Sequence, residues 1–177
     1  MAKITVEGFG DIAKAVEKTL EKIVKNESLL NEVGEQARTY IIGKTRTRAD
    51  LSKEGAKQKE LAETTVDARK NLEKYNKVDA SYSAKRSNVT FTGQLLNSIT
   101  VFVKGGVVTL KPDGNRTAYK TKKGPVKSTP DNYTLAKYLQ EKDRVFMAID
   151  AKGQEILKQF TIRQIRRVLN TIDKIKF

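Results

Sequence analysis

The chain has 177 residues, 35 lysines and arginines against 21 aspartates and glutamates, a net charge of +14, and no Cys, His or Trp. These absences exclude a disulfide framework, a cysteine- or histidine-built metal site, a cysteine nucleophile and a histidine-dependent triad. Its length fits a single domain over residues 1–177 that is large enough to bury a core. Residues 1–90 carry 18 basic and 14 acidic side chains, net +4, and residues 91–177 carry 17 and 7, net +10. An electrostatic role therefore belongs in the second half.

Ile4 and Val6 alternate with polar neighbours, as in a short strand. Asp11 is placed to cap an amphipathic helix with Ile12, Val16, Leu20, Ile23 and Val24 on one side. Asn26 to Ser28 interrupts it. A second helix follows, with Leu30, Val33, Ala37, Tyr40 and Ile41 as its stripe and Gly43 as its C-cap. Nothing in the first residues has the apolar run of a signal peptide, and no apolar run is long enough to span a bilayer, so no membrane partner is expected.

Residues 44–88 are poor in large aliphatics and rich in Lys, Glu, Ser and Thr. They are expected to form an inserted arm, helical in part between Glu60 and Tyr75. The clearest strand signal is Ile99, Val101 and Val103, alternating with Thr100, Phe102 and Lys104. Gly105-Gly106 supplies a two-residue turn, and Val107 to Leu110 returns. Pairing across that turn sets Val103 opposite Val108 and Val101 opposite Leu110, with Ile99, Val101, Val103, Val108 and Leu110 facing one core.

Residues 116–130 form an exposed basic loop with Arg116, Lys120, Lys122, Lys123 and Lys127 and no acid before Asp131. Either nucleic-acid phosphates or an acidic protein surface would complement it. Asp131 or Asn132 caps a short helix containing Leu135, Ala136, Tyr138 and Leu139. Arg144 to Ile149 is an apolar strand or linker. Asp150 caps a final helix with Ile156, Leu157, Phe160, Ile165, Val168, Leu169, Ile172 and Ile175 on one stripe and Arg163, Arg166 and Arg167 on the other side. The fold class expected is α+β, a small antiparallel sheet packed against long N- and C-terminal helices.

Catalytic signals are weak. Gly43-Lys44-Thr45 resembles the end of a phosphate-binding loop, but Arg38 stands where that motif needs glycine, and the triplet closes a helix instead of opening one. Ser83 and Ser98 have no histidine base in the chain. No cofactor, metal or catalysed reaction is expected.

The stretch Thr92-Gly93-Gln94-Leu95-Leu96-Asn97-Ser98-Ile99, running straight into the hairpin, is more specific. It resembles the Thr-Gly-x-Leu-x-x-Ser-Ile signature of tailed-bacteriophage neck and tail-completion proteins, of the HK97-type tail-component and Mu-type virion morphogenesis families. The order of elements is similar too: helices over 11–42, the turn over 92–98, the hairpin over 98–111, a variable loop over 112–130, and Arg144-Val145-Phe146 before a last helix, where those families often have Arg-Pro-Phe. The resemblance implies a structural virion protein assembled in the host cytoplasm. It implies a closed homo-oligomeric, six-fold ring at the head–tail interface or the top of the tail tube. Its partners would be tail-tube or terminator and connector proteins, with genomic DNA in the lumen. The family motif would then fall on Thr92, Gly93, Leu95, Ser98, Ile99, Arg144 and Phe146. Contacts to partner or DNA would fall on Arg116, Lys120, Lys122, Lys123, Lys127, Arg163, Arg166 and Arg167. The alternative is a basic nucleic-acid-binding protein using residues 116–127 and the C-terminal helix.

Overall fold

A computed structural model describes residues 17–18, 21–23, 25–47, 51, 55–58, 60–85, 92–126, 129–142 and 144–172. The strand expected at Ile4 and Val6, most of the helix expected from Asp11, and Lys127 lie outside these residues; Glu17, Lys18 and Glu21 to Ile23 are helical. The fold is α+β. In chain order it comprises helix α1 (Glu27–Arg46), helix α2 (Glu63–Glu73), the short helix α3 (Gln94–Asn97), strands β1 (Ile99–Lys104) and β2 (Val107–Pro112), strands β3 (Lys120–Thr121) and β4 (Gly124–Pro125), helix α4 (Asn132–Glu141) and helix α5 (Ala151–Ile172). Among the described residues no helix is long and apolar enough to cross a membrane.

Helix α1 begins where Asn26 accepts a hydrogen bond from the Leu29 amide at 3.1 Å, relieving one of the unpaired donors of the first turn. Its buried side is Leu29, Gly34, Ala37, Ile41 and Thr45. The expected stripe thus keeps Ala37 and Ile41, while Leu30, Val33 and Tyr40 are half-buried. The shift has a steric cause. The hairpin approaches α1 so closely that a Cβ on Gly34 would lie 2.3 Å from Val101 Cγ1 and 3.0 Å from Val108 Cγ1.

Gly43 does not end α1, contrary to expectation. The helix runs three residues further, because Thr45 packs fully inside while Lys44 and Arg46 complement the negative end of the helix dipole. It closes at Thr47, whose amide donates to the Lys44 carbonyl at 3.0 Å. Gly43 is exposed, and nothing lies within 4 Å of where its Cβ would sit. The same substitution at the two glycines should therefore have opposite signs. Gly43→Ala is expected to stabilise by about 0.5–1 kcal/mol through helix propensity. Gly34→Ala is expected to destabilise by about 1–2 kcal/mol, because the crowding of Val101 outweighs that gain. Urea denaturation of the two variants checks both signs.

The hairpin has the expected register, Val103 opposite Val108 and Val101 opposite Leu110. Gly105 and Gly106 both take positive φ, 59° and 80°, as a tight turn matched to strand twist requires. Ile99 is fully buried, and Val101, Val103, Val108 and Leu110 are half-buried on the hairpin that packs against α1. Phe102 and Val107 face solvent, and the Lys111 ammonium lies 4.3 Å from the Phe102 ring centroid.

The core gathers Ile41, Leu51, Leu95, Leu96, Ile99, Ala136 and Phe146, with Leu110, Leu135, Leu139 and Met147 at its margin. Residues 144–149 form an extended linker, not a strand. Asp150 caps α5, as expected, by accepting from the Gly153 amide at 2.8 Å, and it also accepts from the Tyr40 hydroxyl at 2.5 Å. Gly153 is the crossing point of α1 and α5, since a Cβ there would meet Tyr40 Cε1 at 2.6 Å. Beyond it, Ile156, Leu157, Phe160, Ile165 and Val168 are half-buried and Leu169 is exposed.

Candidate interface around the Thr-Gly turn

Gly93 holds the N-cap position of α3 in the left-handed conformation, φ 72°. This N-cap position makes no side-chain capping bond. The turn rests on the glycine instead, because its backbone accepts this φ without strain. The single turn of α3 then drives Leu95 and Leu96 into the core. Ser98 terminates it: its amide donates to the Gln94 carbonyl at 3.0 Å and its hydroxyl to the Leu95 carbonyl at 2.8 Å. From there Ile99 starts β1, and its carbonyl accepts from Arg38 Nε at 2.6 Å. Phe146 reaches the same core from far along the chain and is fully buried there.

A second reason for glycine at position 93 comes from the segment 44–88. Asp79 Oδ2 lies 2.6 Å from where a Cβ of residue 93 would be. Asp79 accepts from Arg46 Nη2 at 2.9 Å and, through Oδ1, from the Ser81 amide at 2.9 Å and the Ser81 hydroxyl at 2.6 Å. Arg46 also donates to Asn97 Oδ1 at 3.3 Å. The end of α1, the 79–81 turn and α3 are thus joined at one cluster of polar side chains. Burial opposes ionisation of Asp79, but the two Ser81 bonds and the Arg46 guanidinium outweigh it and hold its carboxyl below the usual carboxylate range.

The segment is tied down elsewhere as well. Leu51 is 1% exposed, its amide donates to the Val145 carbonyl at 3.4 Å, and buried Gln58 donates to the same carbonyl at 2.5 Å. Beyond α2, Asn76 pairs with the backbone of Lys120 in both directions: it donates to the carbonyl at 3.0 Å and accepts from the amide at 2.9 Å. A side-chain amide at the end of a helix here takes the part of a neighbouring strand.

The basic loop is accordingly more ordered than a free loop. β3 and β4 form a small hairpin, with the Val126 amide donating to the Tyr119 carbonyl at 2.8 Å. Arg116 is half-buried, donates to the Tyr119 hydroxyl and lies over that ring. The Thr117 amide donates to Gln94 Oε1 at 2.7 Å, which joins the loop to α3. Lys120, Lys122 and Lys123 remain exposed. Arg163, Arg166 and Arg167 lie on α5, which packs against α1, whereas the small hairpin rests on α2. The two expected basic groups therefore belong to different parts of the fold.

A row of clefts follows these junctions. One of about 520 Å³ lies between residues 75–80 and 117–120, with Thr92, Gln94 and Asn97 also lining it. A smaller one, lined by Thr92, Gly93, Leu95, Arg116 and Tyr119, continues to Arg69 and Leu139. A third, of about 420 Å³, runs from Arg69 and Leu139 to Arg144. The motif residues thus divide into two roles. Leu95, Ile99 and Phe146 are core, while Thr92, Gly93 and Arg144 line the surface concavities. Asp79, Arg46, Arg69 and Asn76, which build the same junctions, carry no sequence motif; only the Asp-x-Ser turn pattern at Asp79 hinted at local structure.

Among the described residues no group of acids suited to a metal ion occurs. Comparison with protein-family models, with curated proteins and with solved structures finds no match to this chain.

Proposed function

We propose that the chain is a structural subunit of a tailed bacteriophage virion, forming a closed ring at the neck or at the top of the tail tube. The observation that carries this reading is the convergence of the motif. Leu95 and Ile99 meet Phe146 in one core, and Gly93 turns the chain just outside it. Segments far apart in sequence that resemble one family's signature thus act as one structural unit. The reading assigns the chain no catalysed reaction and no cofactor. A head-to-tail contact between copies that closes on itself would generate the ring, and its faces would meet the tail and connector proteins. The exposed lysines of the β3–β4 hairpin and the arginines of α5 would serve docking or the passing DNA.

The exposed Lys120, Lys122 and Lys123 on one small hairpin also support a second reading, a free nucleic-acid-binding protein. Light scattering with negative-stain electron microscopy of the purified chain separates the two. Rings of uniform diameter are expected. A monomer that binds DNA tightly, with affinity falling steeply as salt rises, overturns the ring reading in favour of the second.

A further inference from the structure

The cleft of about 520 Å³ between residues 75–80 and 117–120 runs along one edge of the small hairpin. Consecutive residues of an extended chain point their N–H and C=O groups to opposite edges. The Tyr119 carbonyl accepts from the Val126 amide, so residue 119 faces the β4 side. Lys120 faces the other way, and the Asn76 side chain takes both of its backbone groups, the amide at 2.9 Å and the carbonyl at 3.0 Å. Ala118, two residues earlier, shares that outer edge. It is half-buried and lines the cleft, and among the described residues its N–H and C=O have no hydrogen-bond partner.

Asn76 shows what this edge accepts. Its amide, which donates and accepts side by side, stands where a peptide group of a neighbouring strand would stand. A further bond from Nδ2 to the Leu72 carbonyl, at 2.6 Å, fixes it there. The edge is thus covered at Lys120 and open at Ala118. An open strand edge is a template for another strand. The charges narrow the occupant further. Lys77 and Lys120 are exposed and line the cleft from its two sides. Asp79 is the acid among the lining residues, and its carboxylate is already held by Arg46 and Ser81.

We infer that this cleft takes an extended acidic segment of a partner protein, which adds to the hairpin edge by main-chain pairing with Ala118. A glutamate or aspartate of that segment would meet the ammonium group of Lys77 or Lys120. A peptide strand supplies a donor and an acceptor at the spacing that Ala118 presents. A nucleic-acid backbone supplies acceptors alone, which leaves the Ala118 carbonyl unmatched. The inference stands apart from the ring reading, since it concerns one strand edge and not the assembly in which the chain takes part.

The test uses the full chain, labelled with nitrogen-15 so that backbone amides are followed by NMR. The Ala118 amide of the free chain is expected to exchange rapidly with deuterated solvent. The probe is an end-blocked pentapeptide of alternating valine and glutamate, which should shift the Ala118 signal saturably and slow its exchange. The same peptide with its backbone nitrogens methylated keeps its charges but loses its donors, and should bind about ten-fold more weakly or worse. Lys77→Glu, at an exposed position, should weaken the unmethylated peptide at least about two- to five-fold. Lys104→Glu, exposed at the end of β1, should change it by less than about two-fold. An Ala118 amide already protected in the free chain, or one that the peptide leaves unshifted, would overturn the site. Equal binding of the methylated peptide would overturn the strand pairing, and an unchanged affinity in Lys77→Glu and in Lys120→Glu would overturn the acidic assignment. A ten-nucleotide oligothymidine that moves the same signal at lower concentration would replace the peptide with nucleic acid.

Discussion

Phe146→Ala is expected to cost about 3–5 kcal/mol, the range for removing a buried phenylalanine from a packed core. The ring is fully buried in the cluster with Leu95, Leu96, Ile99, Ile41 and Leu51, so its loss leaves a cavity that several elements share. The surrounding structure cannot collapse onto it easily. Val145, the preceding residue, is held by Leu51 and Gln58 through its carbonyl, which fixes the course of the linker. Total stabilities of about 5–15 kcal/mol make this a large fraction. For a chain of this size the melting temperature should fall by about 6–20 °C. Phe146→Leu, which keeps most of the volume, should cost under half as much. A loss below about 1 kcal/mol for the alanine variant would mean that the linker does not enter the core as described.

The hairpin was legible in the sequence because alternation and a Gly-Gly turn are local signals that leave only one register with the apolar side inward. The observed pairing of Val103 with Val108 follows from that. The helix caps at Asp131 and Asp150 were legible for the same reason: each rests on bonds within three residues. The phase of α1 was not. Its buried side contains Gly34, which adds no hydrophobicity to any periodic pattern and is there because Val101 needs the room. Gly43 misled in the opposite sense. A glycine near a helix end reads as a stop, but here Thr45 is buried two residues later and Arg46 reaches across to Asp79.

The segment 44–88 was the least legible. Leu51 and Gln58 are single anchors with no periodic neighbours, and each takes its meaning from Val145, far away in the sequence. Asp79 and Asn76 act through tertiary partners in the same manner. The motif residues stood out as a group in the sequence, but their separate roles did not. Thr92 lines a cleft, and Leu95, Ile99 and Phe146 are core. The polar contacts that organise the candidate interface come mostly from residues that periodicity and composition treat as surface.

Gly93→Ala tests that interface most directly. Two separate penalties are expected. The left-handed backbone at φ 72° costs a residue with a Cβ about 1–2 kcal/mol. The added methyl would also lie 2.6 Å from Asp79 Oδ2, which must move and so disturb its bonds to Arg46 and Ser81. Loss of charge-assisted bonds in a half-buried setting adds about 1–2 kcal/mol, for a total of about 2–4 kcal/mol. The two parts can be separated by a double-mutant cycle. In an Asp79→Ala background the carboxylate is gone, so Gly93→Ala should cost only the backbone part. Equal costs in both backgrounds would mean that the carboxylate does not crowd residue 93. Acid titration gives an independent check on Asp79. Its folded-state pKa is lowered, so the stability it contributes is complete above the usual carboxylate range and is lost as pH falls through the folded value. Asp79→Asn should therefore be less stable than the parent at neutral pH, with the difference shrinking as pH drops below about 4. A difference that stays constant down to about pH 2 would show that the carboxylate's charge has no part in holding the 79–81 turn against the end of α1.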